Sequence, residues 1–118
     1  MRQLKFAKEI STERINEFEK LISIARTKQP SNAEQRALLE KVRSGESELI
    51  EKLVDSWEVN ILSIAKQIPT EIPIEELIAI GKKELNNLAE HEINSEIRER
   101  FFRFGAWCVR QGMLKLII

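Results

Sequence analysis

Aromatic and basic residues are mixed near the C-terminal end of the sequence, which reads RERFFRFGAWCVRQGMLKLII over residues 98–118. Unpaired nucleic-acid bases stack on exposed aromatic rings, which contributes about 1–3 kcal/mol per base, while arginine and lysine bind the phosphates. The segment supplies both residue types within a few helical turns. It therefore favours a surface for single-stranded nucleic acid, although a helix that docks on a protein partner has a similar composition.

A helical projection of residues 96–118 separates two apolar faces. The expected core stripe consists of Phe102, Ala106, Val109, Met113 and Leu116. The opposite face consists of Phe104, Trp107, Gln111 and Lys115, with Phe101 and Cys108 on one shoulder and Arg103 and Arg110 on the other. We therefore predict that the rings of Phe101, Phe104 and Trp107 are open to solvent. The alternative is a helix that is apolar all round and buried on every side.

Composition limits the other functions that the chain can have. It has 118 residues, 42% hydrophobic and 32% charged, which suits one globular domain. Basic and acidic residues number 19 each, and a net charge of zero argues against a uniformly basic nucleic-acid-binding surface. The charges are polarised, however, because residues 70–95 are net acidic and residues 96–118 are net basic. Such a domain can face two different partners.

Enzymatic chemistry has little support in the sequence. Cys108 and His91 are the single cysteine and histidine, so we expect no disulfide, metal site or other cofactor. The adjacent Glu75 and Glu76 are typical of a helix N-terminus rather than of acid–base catalysis. Cys108 suits a small packing residue, although nearby arginines could lower the pKa of its thiol. No signal peptide or membrane span is apparent, which predicts a cytoplasmic protein that does not bind membranes.

Periodicity and capping signals predict an all-α, compact five-helix domain. The first helix runs from about Ser11 or Thr12 to Thr27, and the second is opened by a Ser31–Glu34 capping box and closed by Gly45. A third helix is predicted from about Glu46 to Gln67. A fourth begins near Pro73, with Gly81 allowing close helix contact. The fifth is capped by Asn94 or Ser95 and carries the aromatic segment.

Several segments, in order, resemble domain 2 of bacterial primary sigma factors of RNA polymerase. FFRFGAWCVRQGM is similar to the promoter-melting pattern F-x-x-Y-A-x-W-W-I-R-Q-x-I. Upstream, KLVDSWEVNILSIAKQI resembles L-V-x-A-N-L-x-x-V-x-S-I-A-K-x-Y, and IEELIAIGKKEL resembles D-L-I-Q-E-G-x-x-G-L. KVRSGESELIEKL and the opening MRQLKFAKEIS are also similar to family segments. The likeness spans nearly the whole chain, apart from a one-residue insertion near residues 92–100.

The resemblance implies a fold, partners and site residues. It implies a single sigma-domain-2-like domain over 1–118, with an N-terminal helical segment over 1–45 and core-binding and promoter-melting helices over 46–118. It also implies transcription initiation, with contacts to the β′ clamp helices of core RNA polymerase through Glu76, Leu77, Gly81 and Leu85. By the resemblance, Phe101, Phe104 and Trp107 hold unpaired bases of the non-template minus-ten strand, and Gln111 reads its upstream edge. Charge and position, rather than the motif, add Arg100, Arg103, Arg110 and Lys115 as backbone contacts.

Several residues depart from the family pattern, among them Phe104 in place of a tyrosine. A Gln-Glu pair that precedes the family glycine is Ala79-Ile80 here, and the second glycine of that segment is Glu84. Cys108 replaces a tryptophan, and Leu114 replaces a threonine that reads sequence. These changes keep a second hypothesis open, namely a degenerate sigma-like interaction module that is a decoy, a regulator or a homodimer and does not bind DNA.

Overall fold

The structure, a computed structural model, describes residues 9–92 and 100–118. In these residues the chain is all-helical and has no β-strand, as predicted. The helices are α1 (Thr12–Lys28), α2 (Asn32–Arg43), α3 (Ile50–Asp55), α4 (Glu58–Lys66), α5 (Ile74–Glu92) and α6 (Arg100–Ile117), with one 3₁₀ turn at Ser47–Leu49. The predicted count of five helices is therefore wrong, because the described residues form six.

The extra helix arises because the predicted third helix is interrupted at Ser56 and Trp57. The Ser56 hydroxyl donates to the carbonyl of Leu53, and the buried Gln35 amide of α2 donates to the Ser56 carbonyl at 2.9 Å. Side chains that bond to the backbone in this way compete with the hydrogen bonds of a continuous helix. The hydrophobic period runs through the break because α3 and α4 both bury residues in one core.

The predicted helix ends of α1 and α2 are confirmed. The Ser11 hydroxyl accepts from the backbone N–H of Arg14 at 3.2 Å, and the Ser31 hydroxyl accepts from that of Glu34 at 3.2 Å. Gly45 follows α2 with φ at +106°, a conformation that favours glycine. The predicted cap at Asn94 or Ser95 lies outside the described residues.

Two glycines allow close packing around α6, the helix that carries the aromatic segment. A Cβ at Gly81 would lie 2.8 Å from Cγ2 of Ile61, and a Cβ at Gly105 would lie 2.8 Å from Cη2 of Trp57. Both distances are shorter than atomic packing allows, so a side chain at Gly81 would displace α5 from α4, and one at Gly105 would displace α6 from Trp57. The α5–α6 pair forms the largest helix contact, and α4 packs beneath both.

One hydrophobic core joins the N-terminal segment to the later helices. Phe18 of α1 and Leu39 of α2 belong to the same buried cluster as Leu53 of α3 and Val109 of α6. Across residues 9–92 and 100–118, no helix combines the length and apolarity needed to cross a bilayer.

Candidate nucleic-acid interface

Helix α6 has one buried side and one outward side. Its buried residues are Phe101, Gly105, Val109, Gly112, Met113 and Ile117. The centre of this buried stripe is rotated by about 30° from the predicted one. As a result Ala106, which was predicted in the core, is exposed, and Phe101, which was predicted to be open, is buried.

The prediction of an open Phe101 ring is wrong. Phe101 has no solvent-exposed surface, and its ring meets Trp57 edge-on with centroids 5.2 Å apart. The Phe102 ring stacks on the Trp57 ring, with their centroids 6.2 Å apart. Edge-on and stacked rings of this kind stabilise a core. Phe101 therefore supports α6 from inside and cannot stack on a nucleic-acid base.

Two aromatic rings remain on the outward side of α6. Trp107 is 64% exposed and Phe104 is 37% exposed, the only exposed aromatic residues in the described part of the chain. They are three positions apart in the helix, so their rings are neighbours on one face. Two of the three rings that were predicted to be open to solvent are therefore exposed.

Positive charge surrounds these two rings. The guanidinium groups of Arg100 and Arg103 each lie 5.9 Å from the centroid of Phe104, within the range of a cation–π contact. Arg110 and Lys115 are exposed farther along the same helix. On α2, the guanidinium of Arg36 lies 5.4 Å from the centroid of Phe102.

The amide of Gln111 lies one helical turn beyond Trp107 and is half-buried. It keeps hydrogen-bonding groups at the surface beside the exposed indole. We call the outward residues of α6 the α6 face, which comprises Arg100, Arg103, Phe104, Trp107, Arg110, Gln111 and Lys115. These are the predicted DNA-binding residues without Phe101.

A buried carboxylate that the sequence reasoning missed fixes the start of α6. The Glu92 carboxylate accepts from the backbone N–H groups of Arg100 and Phe101, at 3.1 and 3.2 Å. It also pairs with the Arg43 guanidinium at 3.1 Å. The only sequence signal is an acidic residue at the end of an amphipathic helix, which is indistinguishable from a solvated glutamate.

Cys108 lies at the edge of the α6 face. Burial raises the pKa of its thiol, the Glu84 carboxylate raises it further, and Arg100 acts in the opposite direction. The alternative of a pKa lowered by nearby arginines is thus outweighed, and the thiol stays protonated at neutral pH. This supports the interpretation of Cys108 as a packing residue.

Helix α5 presents a different surface from the one predicted for polymerase. Glu76 is exposed, whereas Leu77 and Leu85 are fully buried and Gly81 packs against Ile61. The leucines and the glycine therefore offer no side-chain surface to a partner. The exposed residues of α5 are instead Glu75, Glu76, Ala79, Lys83, Asn87, Glu90 and His91.

Comparisons of the chain with protein-family models, curated proteins and solved structures gave no match. Within residues 9–92 and 100–118, no group of His, Cys, Asp or Glu side chains is arranged to hold a metal ion. The resemblance to sigma factors therefore rests on the sequence motifs alone. What the site can bind is argued from the residues of the α6 face.

Proposed function

We propose that the protein is a sigma-factor-like transcription initiation protein. In this proposal the α6 face binds the non-template strand of the minus-ten promoter element, and the outward side of α5 contacts the β′ clamp helices of core RNA polymerase. The observation that carries the proposal is the 64% exposure of Trp107 on a helix face that also bears exposed arginines. Because its indole is largely exposed to solvent, Trp107 does not contribute to the hydrophobic core.

The α6 face has the parts that single-strand binding needs. The Trp107 ring is open enough to stack on an unpaired base. The Phe104 ring is partly covered by Arg100 and Arg103, so a base reaches it only if a guanidinium moves toward a phosphate. Gln111 supplies an amide that can donate to and accept from a base edge.

Duplex DNA is a poorer ligand for this surface, because paired bases do not offer their faces to a protein ring. Promoter melting exposes those faces, and stacking then stabilises the open strand. The proposal therefore predicts a preference for single strands that does not depend on net charge.

The second candidate is an interaction module that binds protein instead of DNA. Ile118 is 51% exposed and Leu114 is half-buried, and both continue the α6 face beyond Trp107 in the helical projection. An apolar stripe rimmed by arginines is typical of a protein contact as well. A decoy or homodimer of this kind would cover Trp107 without needing nucleic acid.

Fluorescence anisotropy with a labelled oligonucleotide tests the proposal. We expect the protein to bind the non-template strand of a minus-ten element at least about tenfold more tightly than the duplex of the same sequence. With three to four cations on phosphates, the logarithm of the association constant should fall with log salt at a slope of about −2 to −3.

Equal affinity for single strand and duplex, or no binding at low salt, would contradict DNA binding by the α6 face. A scrambled single strand is the control for sequence readout. Probing a pull-down from cell lysate for the β′ subunit tests the polymerase part of the proposal separately, and its absence would count against that part.

A further inference from the structure

Glu92 occupies a position that is unfavourable for a carboxylate. Its side chain, in the last described turn of α5, has no solvent exposure. Burial of a charge is costly unless the group is paired and hydrogen-bonded. A carboxylate buried to this extent indicates a specific structural or functional requirement.

Three donors compensate for this burial, and they come from two other helices. Arg43 is the last residue of α2, and its guanidinium pairs with the carboxylate. The backbone N–H groups of Arg100 and Phe101 begin α6 and donate to both carboxylate oxygens. The first N–H groups of a helix have no partner inside the helix, so Glu92 caps α6 from outside. One carboxylate thus joins the ends of α2, α5 and α6.

The capped turn and the residue that follows it carry three of the seven residues of the α6 face. Arg100 donates its backbone N–H to Glu92, and its guanidinium lies against the Phe104 ring. Phe101, the other donor, is held in the core against Trp57. If the first turn of α6 frayed, Arg100, Arg103 and Phe104 would lose their fixed arrangement, whereas Trp107 and Gln111 would stay in the helix.

We propose that Glu92, together with Arg43, is a positioning residue for the nucleic-acid site. It holds the first turn of α6 in the conformation that binds a single strand, without touching the strand itself. The inference rests on the proposed function and adds the residue pair that keeps the α6 face pre-organised. A site that is correctly formed only part of the time binds more weakly in proportion to that fraction.

The Arg43→Met/Glu92→Met double variant tests this role. Replacing a buried ion pair by apolar side chains of similar size is often neutral for stability, so the variant should lose little beyond the cap on α6. It should therefore fold, with a melting temperature lowered by less than about 10 °C. We expect amide hydrogen exchange at residues 100 and 101 to accelerate by about tenfold or more. Affinity for the single-stranded oligonucleotide should fall by about fivefold or more. Glu40→Met, an exposed change one helical turn before Arg43 on α2, should alter neither quantity.

Unchanged exchange at residues 100 and 101 together with unchanged affinity would overturn the proposal. If the unsubstituted protein fails to bind the oligonucleotide, the proposed function fails, and the exchange rates still decide whether Glu92 holds the first turn. If the double variant does not fold, Glu92→Gln carries the same test. It keeps an acceptor oxygen and should show smaller changes in the same direction, and no change in either quantity would again overturn the proposal.

Discussion

Replacing Phe101 with alanine is expected to lower the free energy of unfolding by about 3–5 kcal/mol. The ring has no exposed surface and makes edge-on contacts with Trp57 and Phe102, so its removal leaves a cavity beside these two rings. Urea denaturation followed by circular dichroism measures this loss. It is a large part of the total stability of a small domain.

Phe104→Ala is the matched control, because it removes the same side chain three positions along the helix. Phe104 is 37% exposed and packs on arginines instead of the core, so we expect a loss below about 1 kcal/mol. Phe101→Leu, which keeps most of the volume, should cost about 1 kcal/mol. Similar losses for the two alanine variants would contradict the orientation of α6 described above.

Trp107→Ala is expected to leave stability unchanged and to weaken single-strand binding by about 5- to 150-fold. The expected range corresponds to the loss of about 1–3 kcal/mol of base stacking. The indole is 64% exposed, so its removal leaves no cavity. Anisotropy titrations at fixed salt, with the folded fraction checked by circular dichroism, measure both quantities.

Ile24→Ala is the control for nonspecific apolar contact, because Ile24 is 49% exposed on α1 and lies off the α6 face. It should change neither stability nor affinity. Trp107→Phe should retain part of the affinity, since a smaller ring still stacks. If Trp107→Ala binds as tightly as the unsubstituted protein, base stacking on α6 does not contribute to binding.

The sequence predicted those parts of the fold that depend on local interactions. Ser11 and Ser31 start helices because their hydroxyls accept backbone N–H groups within the next turn, which sequence spacing alone specifies. Gly81 was predicted at a close helix contact because an amphipathic helix with a glycine in its apolar stripe allows one. These predictions needed no knowledge of distant residues.

Features set by distant residues could not be predicted. The break at Ser56 depends on a hydrogen bond from Gln35, 21 positions earlier, which no periodic pattern reveals. The rotation that buries Phe101 follows from Trp57 packing against Gly105, and the cap on α6 comes from Glu92 on another helix. The outward position of Trp107 was predictable because it lies near the middle of the polar face, where a rotation of about 30° changes little.

The most direct test of a stacking surface on α6 uses the two tryptophans as internal reporters. Trp107 is exposed on the α6 face, whereas Trp57 is 7% exposed in the core. In a proton–nitrogen correlation spectrum, each indole N–H gives its own signal. Titration with the single-stranded minus-ten oligonucleotide should shift the Trp107 signal and leave that of Trp57 nearly unchanged. Saturating oligonucleotide that leaves the Trp107 signal in place would contradict the account.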